Sequence, residues 1–263
     1  KSTTPSGSMS LRLLKSFNTA LGMDNVTSAE ATAGLNTYRA LMLRNLSGST
    51  ITSAAFWIKT LGTQRLSGTA QLGASGSGTI TTATSNGFAD WPQHGWCRIT
   101  QSGGTLREIV YYTSRTATSL TVPSTGRARL GTSASAGAGT DIIDAVPGIR
   151  IGIETASGSG TIQTIANDST APSGITWYTG ITSAAGATIA SLSASTNAGF
   201  WIHREVPAGC YANAAQENAI SYQFTYSAVV YSANMSGLYR ISNSALDLYE
   251  IYTGSDTSPT FAS

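Results

Sequence analysis

Carboxylates and histidines are the side chains of this sequence that could support hydrolysis. A glycoside hydrolase needs two carboxyl groups about 5 to 9.5 Å apart in one cleft. Asp141 and Asp144 are three residues apart on a predicted strand, so their side chains should lie on opposite faces of a sheet. A Ser-His-Asp triad needs a positioned histidine, and neither His94 nor His203 is accompanied by a Gly-x-Ser-x-Gly motif around a serine. The sequence therefore predicts no catalytic residues and a protein that is not an enzyme.

Metal ligands are also scattered along the chain. Zinc requires three or four converging ligands, which two histidines supply only if Cys or Asp side chains join them. Oxygen ligands for calcium are plentiful in residues 166–170 (ANDST), but the D-x-[DN]-x-[DN]-G loop is missing from the sequence. An Asx-turn at Asn167 or Asp168 explains that segment without a metal. We predict no metal site and no cofactor.

One loop carries aromatic side chains that could bind a ligand. Residues 90–96 (DWPQHGW) place Trp91, His94 and Trp96 close together, and exposed aromatics on a rigid β scaffold suit stacking on sugars. The alternative interpretation is that both tryptophans fill the core of a small β module, which needs large side chains to bury. We prefer this second interpretation and retain a carbohydrate-binding site at these three residues as the alternative.

Composition favours an ordered β protein. Of the 263 residues only 11 % are charged and 41 % are hydrophobic, and the formal net charge is +2. Thr, Ile, Val and Tyr fit a pleated, half-buried surface. The basic residues form no block of the kind that binds nucleic acid, and no apolar run reaches the ~18 residues of a membrane span. Cys97 and Cys210 fit no zinc spacing and are interpreted as buried thiols, although their spacing leaves a disulfide open.

Hydrophobic periodicity predicts strands and one short helix. Thr27 and Glu30 have the spacing of a capping box, and Gly34 provides a stop for the helix. Strands are predicted over residues 38–45, 54–62, 148–154, 200–206 and 219–231, where apolar residues concentrate on one face. The fold class is therefore all-β, with a jelly-roll-like β-sandwich as its main part.

Residues 63–147 carry a hydrophobic set of their own and interrupt this pattern. We predict a linker over 1–9, a discontinuous β-sandwich over 10–62 and 148–232, a small β-barrel or meander inserted at 63–147, and a C-terminal extension over 233–263 that leads to a further domain. Strands 54–62 and 148–154 would form a hairpin from whose tip the insert leaves. Such an insertion is tolerated because the entropy of loop closure grows only logarithmically with length.

The segment 107–122 (REIVYYTSRTATSLTV) combines arginines, a glutamate, tyrosines and hydroxyls. Its alternation predicts two short strands joined by a polar turn. On such a hairpin Arg107 and Glu108 should stand in solvent, where cross-strand ion pairs contribute less than about 1 kcal/mol. We interpret the segment as a wall of the inserted module and not as a site.

Several stretches resemble structural proteins of tailed-bacteriophage virions. Residues 26–58 (VTSAEATAGLNTYRALMLRNLSGSTITSAAFWI) resemble the opening of a β-sandwich module, and residues 166–177 and 201–206 resemble the loop and late strand of its second half. The insert resembles small β modules of phage fibres and baseplates, except that Ala128 stands where glycine is common. Residues 237–261 resemble the lead-in to a fibronectin-III-like domain.

The resemblance implies a structural component of a virion. Its position would be the tail tip, the baseplate, the base of a fibre or the capsid surface, with a role in assembly or host attachment. The implied partners are other virion proteins and further copies of the chain in a ring or trimer, with a host surface glycan as the ligand in the carbohydrate-binding alternative.

Overall fold

The computed structural model describes residues 23–61, 66–154 and 163–242, so the predicted linker over 1–9 lies outside the described part. Over these residues the chain forms one helix and fifteen strands in three antiparallel sheets, which confirms the predicted all-β fold. The elements are α1 (Ser28–Ala33), β1 (Leu35–Arg44), β2 (Ile51–Ile58), β3 (Leu66–Gln71), β4 (Gly78–Thr82), β5 (Gly95–Thr100), β6 (Leu106–Tyr112), β7 (Ser114–Arg115), β8 (Ser119–Val122), β9 (Asp141–Val146), β10 (Ile149–Glu154), β11 (Ile175–Tyr178), β12 (Ala187–Leu192), β13 (Asn197–Val206), β14 (Asn213–Tyr226) and β15 (Val229–Ile241), with 3₁₀ turns at Ser124–Gly126, Arg129–Gly131 and Ser183–Ala185.

The predicted capping box starts helix α1. The Thr27 hydroxyl accepts from the Glu30 amide, and the Glu30 carboxylate accepts from the Thr27 amide at 2.9 Å. The helix ends at Gly34, whose φ of 84° favours glycine and whose backbone comes close to Ala208. These local signals were sufficient to predict the helix correctly.

Two four-stranded sheets form the sandwich, in the orders β1-β13-β10-β11 and β12-β2-β14-β15. Ile151 of β10 and Phe200 of β13 point inward and are completely buried, as is Phe56 of β2. The rings of Phe56 and Phe200 lie 5.1 Å apart across the core. Each such side chain contributes about 1.5–3 kcal/mol on burial. The predicted β-sandwich is confirmed, and its jelly-roll connectivity stays a prediction.

Strands β2 and β10 do not form the hairpin that the sequence predicted. Strand β2 pairs with β12 and β14, whereas β10 pairs with β11 and β13, so the two strands lie in opposite sheets. The prediction was wrong because alternation identifies a strand and its buried face but does not select its hydrogen-bonding partner. The chain leaves one sheet after β2 and enters the other at β10.

Residues 66–146 form the third sheet, in the order β6-β5-β9-β3-β4-β8-β7. Only Thr113 separates β6 from β7, and its amide donates to the Thr121 carbonyl of β8 at 2.9 Å. One continuous segment therefore lies at both ends of the sheet and closes it into a barrel. The barrel interior contains Leu72, Ile80, Phe88, Trp91, Cys97, Ile99, Val110, Tyr112, Leu120, Val122, Ile143 and Ala145.

The barrel wall that faces the sandwich is buried on both sides. In β6, Val110 and Tyr112 point into the barrel, whereas Ile109 and Tyr111 belong to the hydrophobic core of the sandwich. Trp96 of β5 also joins that core. A single hydrophobic cluster therefore extends from the sandwich onto the outer face of the barrel.

The long strand predicted over 219–231 is interrupted by a turn. Ser227 and Ala228 have φ of 49° and 63° and connect β14 to β15, which returns alongside β14 as far as Ile241. The second sheet of the sandwich thus includes residues 233–241, which were predicted to belong to the C-terminal extension. Two-residue turns with positive φ at both positions normally contain Asn-Gly, so Ser-Ala gave no turn signal.

Candidate functional site

The two tryptophans of the predicted aromatic loop are buried. Trp91 is 5 % exposed and lies in the barrel interior, edge-on to Phe88 with ring centroids 4.9 Å apart. Trp96 is 2 % exposed and points to the other side of the barrel wall, where it packs edge-on against Tyr111 at 5.0 Å. Neither indole presents a face to solvent, so the carbohydrate-binding alternative has no aromatic anchor at these two positions.

His94 lies where the barrel meets the 207–212 turn of the sandwich. Its ring stacks on Tyr211 at 5.4 Å, and the Tyr211 amide donates to the Tyr111 hydroxyl at 3.0 Å. Burial lowers the pKa of His94, and a hydrogen bond with the backbone of Ala212 acts in the opposite direction. Trp91, His94 and Trp96 therefore have three different environments and do not form one surface.

Asp141 and Asp144 are both buried and have separate surroundings. Asp141 accepts from Arg107 at 3.1 Å and from the Ala138 amide at 2.8 Å. Asp144 lies opposite Arg98 in the register of β9 with β5. Each carboxylate therefore has its own cationic neighbour, and the pair does not share a cleft.

Glu108 does not stand in solvent, contrary to the prediction for the segment 107–122. It is completely buried and forms an ion pair with Arg127, which is 4 % exposed. Its two oxygens accept four hydrogen bonds, from Arg127 at 2.9 and 2.8 Å, from the Ala128 amide at 2.7 Å and from the Ser135 amide at 3.0 Å. The strand pattern placed Glu108 correctly on a β-strand, but two loops that cover the end of the barrel bury it.

Arg127 connects three loops of the barrel through its guanidinium. It donates to the carbonyls of Gly73, Gly76 and Ser135, each at 2.9 to 3.0 Å, in addition to Glu108. The carboxylate already accepts four hydrogen bonds, and both terminal nitrogens of the guanidinium donate to carbonyls. Little hydrogen-bonding capacity therefore remains for a ligand. We therefore interpret this pair as a structural tie and not as a binding site.

A second polar cluster lies on the outer face of the sheet β1-β13-β10-β11. His203 is 3 % exposed; its Nδ1 accepts from the Arg150 Nε at 2.8 Å. Its Nε2 therefore carries the proton and donates to the Asn36 side chain at 2.8 Å. The imidazole stacks on Tyr38 at 4.5 Å, and the Arg150 guanidinium lies 4.8 Å from the centre of the Trp177 ring.

The His203 imidazole is held in its neutral form. Burial, reinforced by the nearby Arg150 charge, lowers the pKa of His203 from 6.5 to about 3. A neutral ring with Nδ1 unprotonated is the tautomer that can accept from Arg150. The histidine thus fixes the orientation of the arginine and is not available for proton transfer near neutral pH.

A cleft of about 290 Å³ separates this cluster from the inserted barrel. Leu106 and Leu130 form its apolar part. Its polar and aromatic lining consists of Arg107, Thr132, Ser133, Arg150, Trp177 and Thr179. The sequence pattern did not predict this cleft, although it predicted the strand over 148–154, which contains Arg150, and a loop over 166–177, which ends at Trp177. The two residues meet only because β10 pairs with β11.

The two cysteines are free and buried, which confirms their interpretation as buried thiols and excludes a disulfide between them. Burial raises the pKa of the Cys97 thiol well above its ordinary value, with a smaller contribution from Asp144. Burial also raises the pKa of Cys210, to about 11. Both side chains are therefore protonated near neutral pH and pack as small hydrophobic groups.

Comparison with known proteins returned no relative. No family model matches the chain, no curated protein matches it, and no solved structure matches it. Among the described residues, no group of three or more His, Cys, Asp or Glu side chains is arranged to hold a metal ion. The same residues contain no helix that is long and apolar enough to cross a membrane.

Proposed function

We propose that this chain is an architectural component of a bacteriophage particle, located at the tail tip, baseplate, fibre base or capsid surface, where it contributes to assembly or host attachment. The proposal combines the sequence resemblance with a physical property of the fold. A component of a large assembly must hold its modules in a fixed relative position, so that contacts made by one module determine the position of the next.

The observation that carries the proposal is the continuous core between barrel and sandwich. Trp96, Ile109 and Tyr111 of the barrel wall pack in the same hydrophobic cluster as the sandwich interior. Polar contacts supplement this packing, since Arg129 forms an ion pair with Glu205 at 3.0 Å across the same boundary. Buried apolar area of this kind opposes the relative motion that is usual between domains joined by small polar interfaces.

The edge strand β15 supports the expected assembly with further copies. It lies at the end of its sheet, and Val229, Val230, Tyr231 and Leu238 are 45–63 % exposed. Residues 229–238 carry no charged side chain, so two copies of this edge can approach without repulsion between like charges. Natural sheets usually protect such edges with charges or proline. We propose that a neighbouring copy of the chain covers this edge.

Purified particles test the architectural role directly. We expect mass spectrometry to detect the chain at a fixed multiple of the major capsid protein. Its absence from particles of a phage whose genome encodes it, or variable amounts between preparations, would contradict the proposal. Hydrolysis of a host polysaccharide by the isolated chain would also contradict it.

The edge contact is tested by light scattering on two matched variants. The double substitution Val230→Lys and Leu238→Lys puts two positive charges on exposed positions of β15, and we expect it to convert oligomers to monomers. The control Gln101→Lys adds a lysine to an exposed turn of the barrel and should leave the oligomers intact. If the native protein is monomeric at all concentrations, the edge contact is refuted. The architectural role, which the particle experiment tests, would not be affected by that result.

A further inference from the structure

The charges around the cleft do not cancel. Arg107 is paired with Asp141, and Arg129 is paired with Glu205. Arg150 remains, and no carboxylate of the described residues lies within the 4 Å of an ion pair from it. Because this guanidinium is half-buried, it is less stabilised by water than a surface arginine. Glu205 acts on Arg150 only at longer range and is itself paired with Arg129. Among the described residues, Arg150 is therefore the arginine of the cleft that has no close ion pair of its own.

Arg150 is also held in a fixed orientation. Its Nε donates to His203 and its Nη1 donates to the Leu130 carbonyl at 3.3 Å. The Trp177 ring supports the face of the guanidinium. The Tyr38 side chain is a further polar neighbour of the guanidinium. Because a guanidinium has five N–H donors, these three contacts still leave donors for a ligand in the cleft. A preoriented arginine binds a carboxylate without first losing side-chain freedom.

Hydroxyl groups and an indole surround this charge. Ser133 and Thr179 line the cleft, and neither side chain forms a hydrogen bond with another described residue. The Thr132 hydroxyl, by contrast, already donates to the Arg129 carbonyl at 2.8 Å. Free hydroxyls can donate to and accept from the hydroxyls of a sugar, and the volume of about 290 Å³ is larger than a bare inorganic anion requires.

We propose that this cleft binds an acidic monosaccharide, with the sugar carboxylate on Arg150 and the sugar hydroxyls on Ser133 and Thr179. The half-buried indole of Trp177 borders the sugar ring. This binding site is separate from the three loop residues Trp91, His94 and Trp96, and it does not depend on the assembly role proposed above.

The test is a titration of the full chain with sodium glucuronate at constant ionic strength, followed by nuclear magnetic resonance. The indole N–H signal of Trp177, assigned through Trp177→Phe, locates the ligand. We expect a saturable shift of this signal with a Kd in the millimolar range, and binding of glucose at least about tenfold weaker because it lacks the carboxylate. Inorganic phosphate serves as the probe for a site that accepts any anion.

Two substitutions at the exposed Ser133 give a matched pair that leaves the packing unchanged. Ser133→Asp places a carboxylate at the mouth of the cleft, and we expect it to weaken glucuronate binding at least about tenfold. Ser133→Asn has nearly the same shape as Ser133→Asp without the charge, so a loss that both variants share measures the missing hydroxyl. We expect the Asn variant to bind glucuronate at least about tenfold more tightly than the Asp variant. Arg150→Gln should abolish binding; if this variant does not fold, the Ser133 pair still decides.

Four outcomes would overturn the proposal. The first is that the Trp177 signal shows no saturable shift up to about 10 mM glucuronate, and the second is that the two Ser133 variants bind glucuronate with equal affinity. The third is that glucose binds as tightly as glucuronate, and the fourth is that phosphate does so. The last result would assign a general anion site in place of a sugar site.

Discussion

The buried pair of Glu108 and Arg127 leads to a quantitative prediction. We expect Glu108→Gln to lower the free energy of unfolding by about 4 kcal/mol. The change replaces one carboxylate oxygen by an NH₂ group of nearly the same size, so packing is preserved. Two of the four donors that converge on the carboxylate then face another donor, and the Arg127 charge is left buried without a counterion.

Two separate estimates give this magnitude. A hydrogen bond to a charged group contributes about 1.5–3 kcal/mol, and two of them are lost. Removal of one partner from a buried ion pair costs about 3–5 kcal/mol. By contrast, the exposed pair of Asp24 and Arg39, in which the Asp24 side chain is 81 % exposed, should contribute less than about 1 kcal/mol. Asp24→Asn is therefore the matched control.

Urea unfolding followed by tryptophan fluorescence and by circular dichroism measures both variants. With a denaturant slope of about 3 kcal/mol per M, Glu108→Gln should lower the midpoint by more than about 1 M, whereas Asp24→Asn should lower it by less than about 0.3 M. Hydrogen exchange at the Ala128 and Ser135 amides gives a second readout, because both amides lose a charged acceptor. Equal midpoints for the two variants, with unchanged exchange at these amides, would refute the assignment of Glu108 and Arg127 as a buried stabilising ion pair.

Three further predictions concern backbone strain and pH. Ala128 has φ of 56°, so Ala128→Gly should stabilise the barrel by about 0.5–1 kcal/mol in urea unfolding, and a loss of stability would contradict the left-handed conformation. Replacement of Ser227 and Ala228 by Asn-Gly should raise the melting temperature, because this pair suits a turn with two positive φ values; the reverse order Gly-Asn is the control and should raise it less. The pKa of His203 is about 3 in the folded protein and 6.5 in the unfolded chain. As the pH falls, the unfolded state therefore binds the proton first. The free energy of unfolding should decrease below about pH 6.5 and be lower by about 2 kcal/mol at about pH 5. His203→Asn, which keeps an acceptor for Arg150, should remove this part of the pH dependence in denaturation curves; an unchanged slope would mean that other groups cause it.

Local signals predicted part of the fold correctly. Thr27, Glu30 and Gly34 specify the helix within eight residues of sequence, and the alternation of Ile149, Ile151 and Ile153 identified β10 and its inward face. Such features depend on neighbours in sequence, which the sequence displays directly. The turn at residues 227–228 was not predicted, because Ser and Ala have no local preference for positive φ.

The candidate cleft could not be predicted from the sequence. Arg150 and Trp177 are brought together by the pairing of β10 with β11, His203 by the pairing of β10 with β13, and Ser133 by the packing of the barrel on the sandwich. The packing of the barrel on the sandwich also buries Trp96, and two loops at the end of the barrel bury Glu108, whereas a single strand viewed alone would leave both side chains half-exposed.

By itself, the sequence determined that this chain is an all-β protein, where its short helix starts and which face of several strands is buried, because backbone periodicity is a local property. Only the tertiary structure decided which strands pair, which aromatic rings are buried and which described arginine of the cleft has no close ion pair, because these depend on contacts between residues far apart in the chain.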